Sequence, residues 1–294
     1  MIFEETRGTL KAFGLPLGDR NDLPDSTKRF DDGGDFKIEI PTVNSIEAMS
    51  ALLDESKRVN VRINRVTETF GMFRHTKAEI KRMVELCDQY GCELMMSTGP
   101  RAAYDTSATA STAQGRTIAY RLRGQEQLIR AIEDIKRGID LGVAAFVIYD
   151  EGLLWLLVQM RTNGVLPKSI KFKVSAHCGH GNPAAFKMLE SLGADSINAV
   201  RDLQLPMIAA LREAVDIPID CHTDNPLASG GFIRVYEAPE IVRIASPVYL
   251  KTGNSAVSVH GSIPGKKEGL RMANQAAIVL EMLERYMPEA KQSA

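Results

Sequence analysis

From residue 36 onward the chain repeats one pattern eight times: a short β-rich run, then a longer segment with helical apolar spacing. The runs read as strands fall at 36–42, 60–66, 92–98, 143–149, 170–176, 196–200, 217–222 and 247–252. Start and stop signals mark the helices between them. Thr76-Lys77-Ala78-Glu79 reads as a capping box, and Asn182-Pro183 as an N-cap followed by a first-turn proline. Asp202 is expected to cap the helix that carries Leu205, Ile208, Ala209 and Leu211. Leu128, Ile132, Ile135 and Ile139 form one apolar stripe, and Gly91, Gly142 and Gly193 each separate a helix from the next strand.

Strands that alternate with helices pair in parallel. Eight such units in 294 residues predict closure into a (β/α)8 TIM barrel, a single domain over residues 36–294. An open doubly wound sheet would carry a Gly-rich phosphate turn after its first strand, and Ile38-Glu39-Ile40-Pro41-Thr42 runs on into Val43-Asn44-Ser45 without one. Residues 1–35 read as a leader, with a polar stretch rich in turn formers from Gly18 to Asp35. The longest connection, 99–124, is rich in Ser, Thr, Ala and Arg and is a candidate mobile lid. A final helix over about 266–286 is expected to close the barrel.

Composition limits the partners. A formal net charge of −1 offers no long-range field for nucleic acid or an anionic membrane, so neither partner is expected. No apolar stretch approaches the roughly 20 residues that span a bilayer. The amino-terminal residues carry charges where a signal peptide needs an apolar run, which predicts a cytoplasmic protein. The four cysteines, Cys87, Cys92, Cys178 and Cys221, contain no C-x-x-C pair, which argues against zinc-finger and thioredoxin readings.

In a barrel of this kind, polar residues at the carboxyl ends of strands are the catalytic candidates. Those ends here offer Glu39; Arg62, Asn64 and Arg65; Ser97, Thr98 and Arg101; Asp150 and Glu151; Ser175, His177 and His180; Asn198, Arg201 and Asp202; Asp220, His222, Asp224 and Asn225; and Lys251 with Asn254. Any one of them is as readily an ordinary loop polar. Their convergence is what predicts a site.

Along the seventh strand Asp220, His222 and Asp224 share one face. His222 and Asp224 present a nitrogen and an oxygen suited to a divalent metal, with His177, Glu39 or Asp150 completing the set. This His-x-Asp resembles the H-x-H at the same strand end in metal-dependent barrel lyases and carboxyltransferases. The first-strand Asp-Arg-Glu signature of those lyases is missing, and a hydrogen-bonded His–Asp general base stands as the alternative.

His177 continues the inward alternation of Lys173 and Ser175. Cys178 beside it is either a nucleophile or, as lone cysteines more often are, a buried inert thiol. Lys251, in Tyr249-Leu250-Lys251-Thr252-Gly253, lies near the end of strand eight. An apolar mouth would depress its pKa and permit a Schiff base; binding a substrate carboxylate or phosphate is the plainer role. The Lys-Thr-Gly string resembles the Schiff-base strand of deoxyribose-phosphate aldolases, where that lysine sits on a different strand. Arg62, Arg65, Arg101 and Arg201 suit bidentate binding of an anionic small substrate, with Glu39, Asn64, Asn198 and Asn254 as further substrate-binding candidates. Gly230-Gly231 offers backbone amides to an anion, or is a plain turn.

Residues 173–214 resemble the core of the U32 peptidase family. Val174-Ser175-Ala176-His177 stands where that family has a V-S-x-Q-like strand end, and Arg201-Asp202-Leu203-Gln204-Leu205 stands at its R-[ED]-L-x-L element. The family then carries cysteines around a Ser-Gly pair. Residues 224–231 keep Ser229-Gly230 and lack the cysteines, so the iron–sulfur cluster of some relatives is not expected. The resemblance implies a barrel with functional residues near His177, Arg201 and the end of the seventh strand.

Three readings follow. The first is a U32-like hydrolase or lyase on a small anionic or peptide-like substrate, possible with a divalent metal on His222, Asp224 and His177; in it His177 is acid/base and Lys251 polarises a carbonyl. The second is a Schiff-base aldolase through Lys251. The third is a non-catalytic barrel subunit that supports a partner. A homo-oligomer is expected under any of them.

Overall fold

The computed structural model describes residues 3–20, 22–104, 108–259 and 261–294. Eight parallel strands pair in sequence order and close on themselves. They are β1 (Phe36–Pro41), β2 (Arg65–Glu68), β3 (Glu93–Ser97), β4 (Ala145–Ile148), β5 (Lys171–Val174), β6 (Ser196–Asn198), β7 (Ile219–His222) and β8 (Val248–Lys251). The predicted barrel is the observed one. Closure is direct: Glu39 of β1 stands opposite Lys251 of β8 and Arg65 of β2.

Helix α1 (Glu4–Ala12), none of whose residues is buried, precedes the barrel, and around the barrel pack α2 (Ile46–Arg58), α3 (Lys77–Tyr90), α4 (Gly124–Asp140), α5 (Glu151–Thr162), α6 (Pro183–Ser191), α7 (Leu205–Ala214), α8 (Ala238–Ala245) and α9 (Lys266–Tyr286). The Thr76 capping box forms, and Asn182 accepts from the Ala185 amide with Pro183 in the first turn. Asp202 does not cap α7. The chain enters the helix later, through Gln204, because Pro206 in the first turn sets the entry. The expected leader contains α1, while 18–35, apart from Asn21, has neither helix nor strand. No helix among the described residues is long and apolar enough to cross a membrane.

Period-two alternation decides what each strand face does. Phe36, Ile38, Ile40, Phe172 and Val174 join the large core between sheet and helices. Lys37, Glu39, Lys171 and Lys173 are the alternate residues and turn into the barrel. α9 packs across α2, where a Cβ on Gly269 would lie 2.4 Å from the Ala48 carbonyl oxygen, so the helices approach at a position only glycine permits.

The second strand starts later than its sequence suggests. Residues 60–64 instead cross the amino end of the barrel. Asn60 has a positive φ of 57°, and Asn64 accepts from the Ile38 amide at 2.9 Å and donates to the Ser293 carbonyl at 2.9 Å. The carboxyl-terminal segment covers this same end, with the Ser293 amide bonded to the Phe36 carbonyl at 2.9 Å.

Candidate active site

At the centre of the barrel, Glu39 Oε1 accepts from two lysines, Lys173 Nζ at 2.5 Å and Lys251 Nζ at 2.6 Å, and from Thr67 Oγ1 at 2.7 Å. Its other oxygen lies 3.4 Å from Arg65 Nη1. Asp220 of β7 adds a second carboxylate, with Oδ2 3.0 Å from Lys173 Nζ and 3.7 Å from Arg65 Nη1. Arg65 continues downward to Glu93 at 2.6 Å and lies over the Tyr249 ring, 3.6 Å from its centroid. Strands β1, β2, β5, β7 and β8 thus each send one charged side chain to a common point. All five side chains, Glu39, Arg65, Lys173, Asp220 and Lys251, are buried.

Such a cluster sets its own protonation. Burial works against the Glu39 carboxylate, but Lys173, Lys251 and Arg65 outweigh it and hold the group well below the usual range. Burial pushes the Lys251 ammonium down to about 7, Lys173 pushes the same way, and Glu39 and Asp220 resist. Burial raises Asp220, with Glu39 adding like-charge repulsion against the pull of Lys173. Burial, then Lys251 and Arg201, keep His222 well below the ordinary imidazole value, so it is neutral. Asn198 at the end of β6, its amide oriented to suit both neighbours, donates to the Asp220 carbonyl at 3.2 Å and accepts from Lys251 Nζ at 3.3 Å.

Above this centre the mouth is aromatic. Tyr149, just past β4, bonds Ser97 Oγ at 2.7 Å and stacks on Tyr120 with centroids 5.1 Å apart. Tyr120 stacks in turn on His177 at 4.0 Å. Arg101 lies against Tyr149 and Tyr120, 4.5 and 5.0 Å from their centroids. Arg201 reaches His177 Nε2 through Nη2 at 2.9 Å. The 99–124 connection supplies Arg101 and Tyr120; its described residues include three short 3-10 turns, Ala102–Tyr104, Ala108–Ser111 and Gly115–Ile118, and residues 105–107 lie outside the described ones.

Of the residues singled out in the sequence, Glu39, Asn198, His222 and Lys251 gather at the centre, and Arg101, His177 and Arg201 at the mouth. Glu39 is not open to substrate, because its carboxylate is occupied by the protein's own cations. Arg62 and Asn64 belong to the opposite end: Arg62 accepts from Gln292 through its carbonyl at 2.9 Å, and Asn64 ties β1 to the carboxyl terminus. The sequence register that placed them at the mouth began β2 several residues early. Asn254 is used internally, accepting from Thr42 at 2.8 Å and donating to Asn225 at 3.1 Å.

The expected ligand set of His177, His222 and Asp224 does not assemble. Asp224 Oδ2 accepts from the Ser255 amide at 2.6 Å, which fastens the end of β7 to the turn after β8. The His177 nitrogen is taken by Arg201. Asp150 is no substitute, since it caps α5 by accepting from Leu153 at 3.1 Å. Three potential donors do lie within 4.8 Å of one another at Glu151, Cys178 and His180. There His180 and Arg121 both bond the Glu151 carboxylate, which satisfies its charge within the protein. Burial raises the Cys178 thiol to about 12, which is the state of an inert thiol rather than a nucleophile.

Sequence reading passed over Lys173, Tyr120 and Tyr149 as site residues. Lys173 had a legible signal, a lysine between Phe172 and Val174 in a strand buried on both faces. The tyrosines had none, because their meeting joins β4 to a distant loop.

No protein-family model matches the sequence, and no curated protein matches it. Solved structures do. The chain is similar to the YdjI aldolase from Escherichia coli K12, at TM-score 0.52 and 14% identity over 87% of this chain and 94% of that one. It is similar to a Rubisco-like protein from Rhodopseudomonas palustris, at TM-score 0.53 and 12% identity over 95% and 72%. A U32 peptidase, Mk0906, aligns at TM-score 0.42 and 16% identity over 67% and 72%. The class defined by fold and site is a (β/α)8 barrel with a charged interior and a buried lysine at the carboxyl end of its last strand. At these identities only the barrel is shared, and neither the peptidase nor the aldolase name passes to this chain.

Proposed function

We propose that the protein is an aldolase-type lyase that works through a Schiff base at Lys251 on a small carbonyl substrate. One observation carries this reading: Lys251 is buried at the carboxyl end of β8 with a second ammonium, Lys173, on the same carboxylate oxygen. Desolvation and the like charge both favour the free amine, the form that attacks a carbonyl carbon.

The steps use groups already in contact. Lys251 Nζ bonds to the carbonyl carbon, and the proton its nitrogen sheds passes to the carbonyl oxygen, while Glu39 Oε1 holds Lys173 beside it. The carbinolamine hydroxyl takes a second proton from the Lys173 ammonium and leaves as water, and an iminium remains. That cation accepts the electron pair as an enamine when the bond between the α and β carbons breaks. Neutral His222, whose Nδ1 is buried with no hydrogen-bond partner among the described residues, takes the proton from the departing fragment's hydroxyl. Asn198 holds the Lys251 nitrogen in line.

The test is borohydride reduction during incubation with pyruvate, dihydroxyacetone phosphate or glycolaldehyde, followed by peptide mass spectrometry. The expected result is an adduct on Lys251 that is lost in Lys251→Met. Adducts confined to exposed lysines, or none with any probe, would remove the proposal.

A further inference from the structure

Among the described residues, neither Arg101 nor Arg201 at the barrel mouth donates to a carboxylate. Arg101 is 1% exposed, yet its Nε and Nη1 have no hydrogen-bond partner among the described residues, and Nη2 makes only a 3.4 Å contact with the Phe70 carbonyl. Arg201 Nε is likewise buried and unpartnered, and its Nη2 meets a histidine nitrogen rather than a carboxylate. A buried guanidinium with idle donors is costly, and native proteins rarely keep one without a use. The two flank a single stack of rings, Tyr149, Tyr120 and His177, with Arg101 against the tyrosines and Arg201 at the histidine edge. Arg201 lies three residues past Asn198, the end of β6, whose amide oxygen accepts from Lys251 Nζ at 3.3 Å, so the mouth and the lysine meet at one strand end.

We propose that Arg101 and Arg201 form an oxyanion site that holds the carboxylate or phosphate of the carbonyl substrate and directs its carbonyl to Lys251. The planar guanidinium fork suits either group. The aromatic walls exclude water and strengthen the pairing. The direction toward Lys251 rests on the Schiff-base reading; the anion site itself does not.

The experiment separates the two. Anion binding is measured calorimetrically on Lys251→Met protein, which cannot form an imine, with oxamate in one arm and inorganic phosphate in the other. Binding of one or both is expected, weakened about tenfold or more by Arg101→Met and by Arg201→Met; the arm that binds identifies the group. Folding of each variant is checked by circular dichroism, and Arg101→Lys serves if Arg101→Met fails to fold. No binding of either probe, or binding that the arginine variants leave unchanged, overturns the site. Borohydride trapping on otherwise wild-type protein then compares pyruvate and dihydroxyacetone phosphate with neutral glycolaldehyde. The arginine variants should lose trapping of the anionic probe and keep that of glycolaldehyde; equal loss for both overturns the directing role. Anion binding without any Lys251 adduct would retain the site and sink the Schiff base alone.

Discussion

Lys173 and Lys251 donate to the same atom, Glu39 Oε1, from 2.5 and 2.6 Å. One carboxylate oxygen therefore serves two ammonium groups inside a closed barrel, and the lysine nearer the carboxyl end is the one driven toward its free base. Trapping at Lys251 should then rise with pH to a plateau with a midpoint near the depressed value of about 7, far below that of an ordinary lysine. Replacing Lys173 with Met removes the like charge and leaves Glu39 to Lys251 and Arg65. The midpoint should move alkaline by about one pH unit or more, measured as the pH dependence of the trapping rate.

Glu39→Gln leaves Lys173, Lys251 and Arg65 around a neutral amide. Breaking a buried ionic network by removing one partner costs about 3–5 kcal/mol, which urea denaturation would resolve at neutral pH. The pH sense follows from the direction of the shift. The Glu39 carboxyl is held below its unfolded value, so its contribution is complete above that value and lost as pH falls through the folded one. The gap between wild type and variant should persist at neutral pH and close only in acid.

Arg62 and Asn64 offer a test of the two barrel ends. Arg62→Ala should leave trapping and stability unchanged, within about 0.5 kcal/mol, because the side chain is exposed at the amino end. Asn64→Ala should leave trapping intact at low denaturant yet cost about 1–3 kcal/mol, since it strands the buried Ile38 amide. Loss of trapping in Arg62→Ala would contradict the placement of the site.

Gly269→Ala sets a methyl against the Ala48 carbonyl oxygen, at 2.4 Å before relaxation. α9 must shift away from α2, and overpacking of this kind costs about 1–3 kcal/mol. Thermal unfolding would show it as a lowered midpoint with an unchanged far-ultraviolet spectrum.

Much of the barrel was legible because its signals are local. The alternation at β5, the Thr76 capping box and the bounds of α9 each depend on residues within a turn or two of one another, so the chain itself specifies them. The same alternation fixed that Glu39, Lys173, Asp220 and Lys251 turn away from the helices, although Lys173 did not stand among the site candidates. What tertiary structure alone decided was which of these meet. The start of β2 was settled by Asn64 binding the carboxyl terminus, more than two hundred residues away in sequence. Asp224 went to a turn after β8 and not to a ligand set, and Lys173 came to share an oxygen with Lys251. Those outcomes depend on register around a closed ring, where long-range pairing sets distances that no local pattern of residues encodes.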